Sequence, residues 1–143
     1  MQRGRTAADR TVRGAMLRHP TVHRADLTVR EARSVFAAGA KTRVLLLVTG
    51  GRLVSTVVRE DLDPGADPAA AAANAGTLTG RCVAADALLE DTFQAMLREG
   101  QRRLAVIEPD GTLLGLLCLK QSRSGFCTDE GVAAMRASRM RGA

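Results

Sequence analysis

The hydrophobic and polar positions of this chain follow one pattern twice. A stretch of helical periodicity, with apolar residues spaced i, i+3, i+4 and i+7, precedes two runs of consecutive apolar residues. The helical stripes are Val29, Ala32, Val35 and Phe36 in the first copy, and Leu89, Phe93, Met96 and Leu97 in the second. Each copy therefore predicts a helix that packs one face against neighbouring strands.

The apolar runs predict strands that are buried on both faces. They are Val44 to Val48 and Leu53 to Val58 in the first copy, and Leu104 to Ile107 and Leu113 to Leu119 in the second. The turns between them contain Gly50-Gly51 and Asp110-Gly111, which supply the positive φ of tight hairpins. A short extended stretch, Thr21-Val22-His23 or Arg81-Cys82-Val83, leads into each copy. The unit is β-α-β-β, and the predicted class is α/β.

The two copies are related by a fixed offset of 60 residues. In this register Asp26 aligns with Asp86, and residues 21–62 overlay residues 81–122 without a gap. We expect two repeats packed with pseudo-twofold symmetry.

Local signals mark where the helices begin. Thr28, with Glu31 three residues later, forms the capping box of the first helix. Asp86 is the predicted N-cap of the second helix, and Thr128 or Asp129 that of a last one. The predicted segments are a basic N-terminal tail (1–10), a first repeat (11–68), an alanine-rich helical linker (69–79), a second repeat (80–127), and a C-terminal helix with a basic tail (128–143).

Composition narrows the function classes. The aromatic fraction is only 2%, which argues against a nucleic-acid binder that stacks bases on aromatic rings. The formal net charge is +6, with arginines concentrated at both ends. Such ends bind polyanions or are simply solvated, and we favour the second interpretation because no nucleic-acid-binding motif accompanies them.

The cysteines and histidines do not form a metal motif. Cys82, Cys118 and Cys127 are odd in number and lack CxxC spacing, and neither histidine, His19 or His23, lies near a cysteine in sequence. Cys118 is interpreted as a small buried hydrophobe, and Cys127 as the more exposed thiol. No signal peptide or membrane span is predicted, and the expected location is the bacterial cytoplasm.

Three short motifs, found in order, resemble the CBS-domain pair, a tandem repeat named for cystathionine β-synthase. They are Met16-Leu17-Arg18-His19-Pro20-Thr21-Val22, Thr28-Val29-Arg30-Glu31-Ala32, and Arg52-Leu53-Val54 with its counterpart Thr112-Leu113-Leu114-Gly115. The resemblance implies a stand-alone disc of two repeats that dimerises and binds an adenosine-containing ligand such as AMP, ADP, ATP, NAD or S-adenosylmethionine. The sequence itself has no Ser/His/Asp order, G-x-S-x-G, P-loop or paired-carboxylate motif, so we expect no enzyme activity and predict no metal or cofactor. The resemblance implies a regulated partner protein of unknown identity.

The resemblance also implies ligand contacts at the end of the last strand of each repeat. In the first repeat, Asp61 matches the ribose-binding carboxylate and Arg59 is a candidate phosphate contact. The other implied residues of this site are Thr56, Val58, Pro20, Thr21 and Val22. Capping by Asp61 and a solvated Arg59 are the competing interpretations.

The sequence departs from the family signature Gly-apolar-x-Thr/Ser-x-x-Asp in both repeats. In the first, Ser55 replaces the glycine and Val58 the hydroxyl residue. In the second, Cys118 stands at the hydroxyl position and Gln121 at the aspartate position. The implied second site, comprising Gln121, Lys120, Cys118, Cys82 and Val83, is therefore the weaker one. A ligand-free scaffold for dimerisation or partner docking is the alternative function.

Overall fold

The structure is a computed structural model that describes residues 10–39 and 42–132. Residues 1–9 and 133–143, which hold most of the two predicted basic tails, lie outside the described residues. The described chain divides into two compact units. The first-sheet unit comprises residues 21–82 and 107–113, and the second-sheet unit comprises residues 10–20, 83–106 and 114–132.

The first sheet has the predicted β-α-β-β order. Its elements are β1 (Val22–Arg24), α1 (Val29–Ala38), β2 (Leu45–Thr49) and β3 (Arg52–Val57). β1 pairs with β2 in parallel and β2 with β3 in antiparallel orientation. The α1-facing core consists of Ala32, Phe36, Leu45, Leu47, Val57 and Ala72. The capping box is confirmed, because the Glu31 amide donates to Thr28 Oγ1 and the Thr28 amide donates to Glu31 Oε1.

The second sheet repeats this order with β4 (Cys82–Ala84), α2 (Leu89–Glu99), β5 (Arg103–Ile107) and β6 (Leu113–Cys118). Its core consists of Val12, Ala85, Leu89, Met96, Leu104, Val106, Leu117 and Leu119. Two expectations are wrong here. The N-cap is Leu88, the counterpart of Thr28, and not Asp86, and Leu97 is 37% exposed because it lies at the border of the buried stripe.

The backbone hydrogen bonds repeat the 60-residue offset. The Val29 amide donates to the Ala70 carbonyl, and the Leu89 amide donates to the Arg10 carbonyl, both at 2.8 Å. Likewise Thr77 pairs with Thr56 of β3, and Leu17 pairs with Leu116 of β6. Ala70 and Thr77 precede the second copy in sequence but pair with the first copy. Arg10 and Leu17 precede the first copy but pair with the second. The repeat is therefore a property of the fold as well as of the sequence.

The alanine tract does not form the expected helix. Ala71 has extended φ and ψ and pairs with Thr28, and only Ala72–Asn74 form a single 3-10 turn. Alanine favours helix, but the backbone groups of Ala70 and Ala72 are used to bond Val29 and Leu27. Tertiary pairing has overridden the intrinsic preference.

The last helical turn begins as predicted, since Thr128 Oγ1 accepts from the Gly131 amide at 2.9 Å. Asp129 instead accepts a hydrogen bond from the Arg18 amide. Neither α1 nor α2, nor any other helix in the described ranges, is long and apolar enough to cross a membrane.

Candidate functional site

The chain turns sharply after β3 and partly buries a carboxylate. After β3, Val58 is extended and Arg59–Asp61 form one 3-10 turn. This turn places Asp61 so that its Oδ2 accepts a hydrogen bond from the Val58 amide at 2.9 Å. The Asp61 side chain is only 15% exposed. Asp61 thus closes its own turn rather than capping a following helix.

Arg81 is the partner of this carboxylate. It lies directly before β4, after Gly80, whose φ of 74° is in the left-handed region. Its Nη1 donates to Asp61 Oδ2 at 2.6 Å and its Nη2 to Asp61 Oδ1 at 3.0 Å, a bidentate ion pair. Nη1 also donates to the Thr56 carbonyl at 3.1 Å. Three residues of the first-sheet unit therefore meet at one partly buried point.

The ion pair shifts both ionisations. Burial works against the charged carboxylate, but the hydrogen bonds from Arg81 and from the Val58 amide outweigh it, so the pKa of Asp61 lies below its ordinary value. The hydrogen bond to Asp61 likewise raises the pKa of Arg81. Both groups are charged at neutral pH.

The linker forms hydrogen bonds along the outer edge of β3. Thr77 exchanges backbone hydrogen bonds with Thr56, and Thr56 Oγ1 donates to the Thr77 carbonyl at 2.5 Å. A Cβ on Gly76 would lie 2.0 Å from the Thr56 carbonyl oxygen, so only glycine allows this close approach. Ser55 Oγ donates to the Ala73 carbonyl at 3.0 Å.

This edge explains why Ser55 stands where the family signature has glycine. At the equivalent crossing in the second-sheet unit, the glycine is on the strand: a Cβ on Gly115 would lie 2.3 Å from the Leu17 carbonyl oxygen. In the first-sheet unit the glycine is Gly76, on the crossing segment, and the strand residue is free to be serine. Each crossing contains one glycine, which lies on the crossing segment in the first-sheet unit and on the strand in the second-sheet unit.

Arg59 is engaged with the end of α1. Its Nη2 donates to the Phe36 and Gly39 carbonyls at 2.8 and 3.2 Å, and its guanidinium lies 4.9 Å from the centre of the Phe36 ring. A cation at a helix C-terminus interacts favourably with the helix dipole. Arg59 is therefore neither simply solvated nor directed at Asp61.

The remaining predicted residues are arranged less tightly. Val22 pairs with Leu46, which pairs with Thr56, so Val22 and Thr56 lie in one row of the first sheet and on the same face. Val22 is 44% exposed, and Thr21 beside it is also exposed. Pro20 belongs to the second-sheet unit.

The second predicted site does not assemble around a polar group. Lys120 and Gln121 are exposed, in a turn where the Lys120 amide donates to the Gly125 carbonyl. Cys118 is buried, and its Sγ lies 3.2 Å from Cys127 Sγ. Burial raises the pKa of the Cys82 thiol, which lies in β4 beside Val83. No cluster of three or more histidine, cysteine, aspartate or glutamate side chains suited to a metal ion occurs in the described part of the chain.

Arg81 is the site residue that sequence reasoning missed. The signal was present, because Arg81 is the 60-residue counterpart of Thr21, which was predicted to contact ligand. The repeat relates equivalent positions, however, and does not reveal that Arg81 reaches Asp61 in the other copy's segment.

A family model matches part of the chain. Residues 81–121, which lie within the second copy, match the CBS domain family. No curated protein matches the chain.

Solved structures share the fold. The putative acetoin utilization protein AcuB from Vibrio cholerae is 18% identical, with a TM-score of 0.62 and coverage of 92% of this chain and 93% of that one. CBS domain protein PAE2072 from Pyrobaculum aerophilum, complexed with AMP, is 18% identical, with a TM-score of 0.60 and coverage of 79% and 94%. The cytosolic domain of the Mg2+ channel MgtE, in complex with ATP, is 24% identical, with a TM-score of 0.59. The match covers 74% of this chain but only 44% of the MgtE chain.

Proposed function

Because this chain carries a CBS domain within the fold of CBS-domain proteins, we propose that it is a regulatory module that senses an adenosine-containing nucleotide. The ligand is held in the first repeat, at Asp61, and the module performs no catalysis itself. The observation that carries this proposal is the partly buried Asp61 carboxylate with Arg81 bound to it. The AMP and ATP complexes of proteins with this fold support the ligand class.

The chemistry of the pair fits a nucleotide better than a neutral nucleoside. A carboxylate can accept hydrogen bonds from both ribose hydroxyls, but here Arg81 already occupies both of its oxygens. A ligand that engages Asp61 must therefore release Arg81. A phosphate on the same ligand gives the released guanidinium a new bidentate partner, which is negatively charged like the carboxylate that it replaces.

Release of Arg81 also supplies a signal. In the free protein Arg81 joins Asp61 to the Thr56 carbonyl, and in the bound protein these contacts are exchanged for contacts to the ligand. Two states with different ligand affinity are the requirement for a regulatory shift. The regulated protein and the expected homodimer are further proposals, and sedimentation analysis of the purified chain tests the dimer.

Thermal shift tests the ligand class. AMP, ADP, ATP, NAD and S-adenosylmethionine are each added to the purified chain. A ligand present at 100 times its Kd stabilises the folded state by about 2.7 kcal/mol, which is readily measured. Asp61→Ala should abolish the shift, and Gln121→Ala, the matched change in the second repeat, should leave it intact. Equal effects of the two changes would contradict the assignment of the site.

Replacement of Arg81 distinguishes its role as a competitor from its role as a phosphate contact. In Arg81→Ala, the carboxylate is free, so adenosine should bind more tightly than to the wild type. AMP should lose its advantage over adenosine, because the phosphate no longer meets a guanidinium. If Arg81→Ala leaves both affinities unchanged, the proposed exchange of partners is wrong.

The alternative function is a ligand-free scaffold, and one observation favours it. Four polar side chains at the end of β3 have partners within the chain: Asp61 with Arg81, Thr56 with Thr77, Ser55 with Ala73, and Arg59 with Phe36. Buried polar groups in folded proteins are normally hydrogen-bonded, and these side chains are hydrogen-bonded without a ligand. Absence of any thermal shift, with all five ligands at millimolar concentration, would favour the scaffold.

A further inference from the structure

Two cysteines that have no part in the Asp61 site form a facing pair in the second-sheet unit. After β6, the chain turns and returns as a short antiparallel segment. Leu119 pairs with Phe126, and the Cys127 amide donates to the Cys118 carbonyl at 2.7 Å. Cys118 and Cys127 are thus opposite each other, and their Sγ atoms are 3.2 Å apart.

This placement suits a disulfide. Residues opposite each other in a hydrogen-bonded antiparallel pair have Cα atoms roughly 5.5 Å apart, which lies within the range that disulfides span. The sulfur atoms need to approach by only about 1.2 Å to reach bonding distance. The hairpin therefore does not have to be rebuilt for the bond to form.

The two thiols differ in exposure, which divides their roles. Cys118 is 7% exposed, whereas Cys127 is half-buried and lines a cavity of about 590 Å³ together with Met16, Phe93 and Phe126. A small oxidant can reach Cys127 through this cavity. Burial and the contact with Cys127 raise the pKa of Cys118 to about 11, so Cys118 keeps its proton at neutral pH.

We propose that Cys118 and Cys127 form a reversible disulfide when a hydroperoxide oxidises the Cys127 thiol. The Cys127 thiolate attacks one peroxide oxygen, the O–O bond breaks, and the product is a sulfenic acid with release of hydroxide, which is protonated to water. The Cys118 sulfur then attacks the Cys127 sulfur, the S–O bond breaks, and the departing hydroxide takes the Cys118 proton. Overall, two thiols and one hydrogen peroxide give one disulfide and two waters.

The bond fixes a segment that lines the cavity. It closes a loop from residue 118 to residue 127, whose members Ser124, Gly125 and Phe126 contribute to the cavity wall. Thr128, the cap of the last helical turn, follows directly. Oxidation therefore tethers this helix start to β6, independently of any nucleotide.

Peptide mapping of the full-length protein tests the proposal. Hydrogen peroxide at a few equivalents is added, and the protein is digested with trypsin without reduction. Complete cleavage after lysine and arginine places the three cysteines in separate peptides, 82–98, 104–120 and 124–136. We expect two of the three thiols to be lost, the last two peptides to be linked, and dithiothreitol to reverse both changes.

Matched variants confirm the direction of the reaction. Cys82→Ser should keep the link, and Cys118→Ser should accumulate sulfenic acid at Cys127, trapped by dimedone, at about ten times the wild-type level. Three results would overturn the proposal: a link that includes peptide 82–98, a covalent dimer on non-reducing gels, or Cys127 recovered as sulfinic acid without a link.

Discussion

Replacement of Asp61 by asparagine measures how much the site contributes to the stability of the free protein. The Asp61 carboxylate accepts three hydrogen bonds, two from Arg81 and one from the Val58 amide. Asparagine removes the charge and keeps only one accepting oxygen, and its amide group would face donors. At least one donor of Arg81 or Val58 is then left without its partner.

The magnitude follows from burial and charge. A hydrogen bond to a charged group contributes about 1.5–3 kcal/mol, but partial exposure allows water to replace part of each lost bond. The side chains of Arg81 and Asp61 are 24% and 15% exposed, so we expect a net loss of about 2 kcal/mol. For a chain of this length that loss lowers Tm by roughly 4–8 °C.

The chain contains a matched control. Arg24 and Asp26 form an ion pair with the same 2.6 Å N–O distance, but their side chains are 86% and 68% exposed. Surface pairs of this kind contribute little, so Asp26→Asn should lower Tm by about 1 °C or less. Scanning calorimetry of the wild type and both variants, without ligand, gives the comparison. Equal shifts for the two variants would refute the view that burial makes the Asp61 pair structural.

Three further predictions follow from single contacts. The pKa of Asp61 is depressed in the folded state, so its contribution to stability is present above the ordinary carboxyl pKa and is lost as pH falls below about 4. In urea unfolding, the free energy of unfolding should therefore fall less on acidification in Asp61→Asn than in the wild type. Gly76→Ala places a Cβ against the Thr56 carbonyl and should cost about 2 kcal/mol or more, whereas Gly14→Ala, with no atom within 4 Å, should cost little in the same denaturation assay. Thr28→Ala removes the capping box and should cost about 1 kcal/mol; an unchanged unfolding midpoint would show that the box is dispensable.

The parts of the fold that were predicted correctly from the sequence depend on interactions between residues close in sequence and on the order of residue classes. The capping box joins Thr28 to Glu31, three residues apart, and the turn glycines Gly50, Gly51 and Gly111 do have positive φ. The 60-residue register needs only the order of residue classes, and the hydrogen bonds repeat it. Local chemistry and periodicity were sufficient for both.

The errors arise where distant segments pair. The alanine tract was expected to be helical, but Ala71 is extended because Thr28, far away in sequence, pairs with it. Asp86 was expected to cap α2, but the register places Leu88 there, with no side-chain cap. The structural preference of a single residue does not reveal the distant segment whose pairing overrides that preference.

The site shows the same limit. The position of Asp61 was identified from a motif within one repeat, but its pairing with Arg81 is a contact between residues 20 positions apart in sequence. The motif therefore predicted a carboxylate poised for ribose, and the structure shows one that is already paired. The assignment of a ligand to Asp61 stays a prediction.

Isothermal titration of AMP into the wild-type chain and into Asp61→Asn reports both the number of binding sites and the contribution of the carboxylate. We expect one AMP per chain, because only the first repeat has the carboxylate, and affinity at least about tenfold weaker in the variant, a loss of about 1.4 kcal/mol. Two AMP molecules per chain, or the same affinity in Asp61→Asn as in the wild type, would contradict the assignment of the ligand to Asp61.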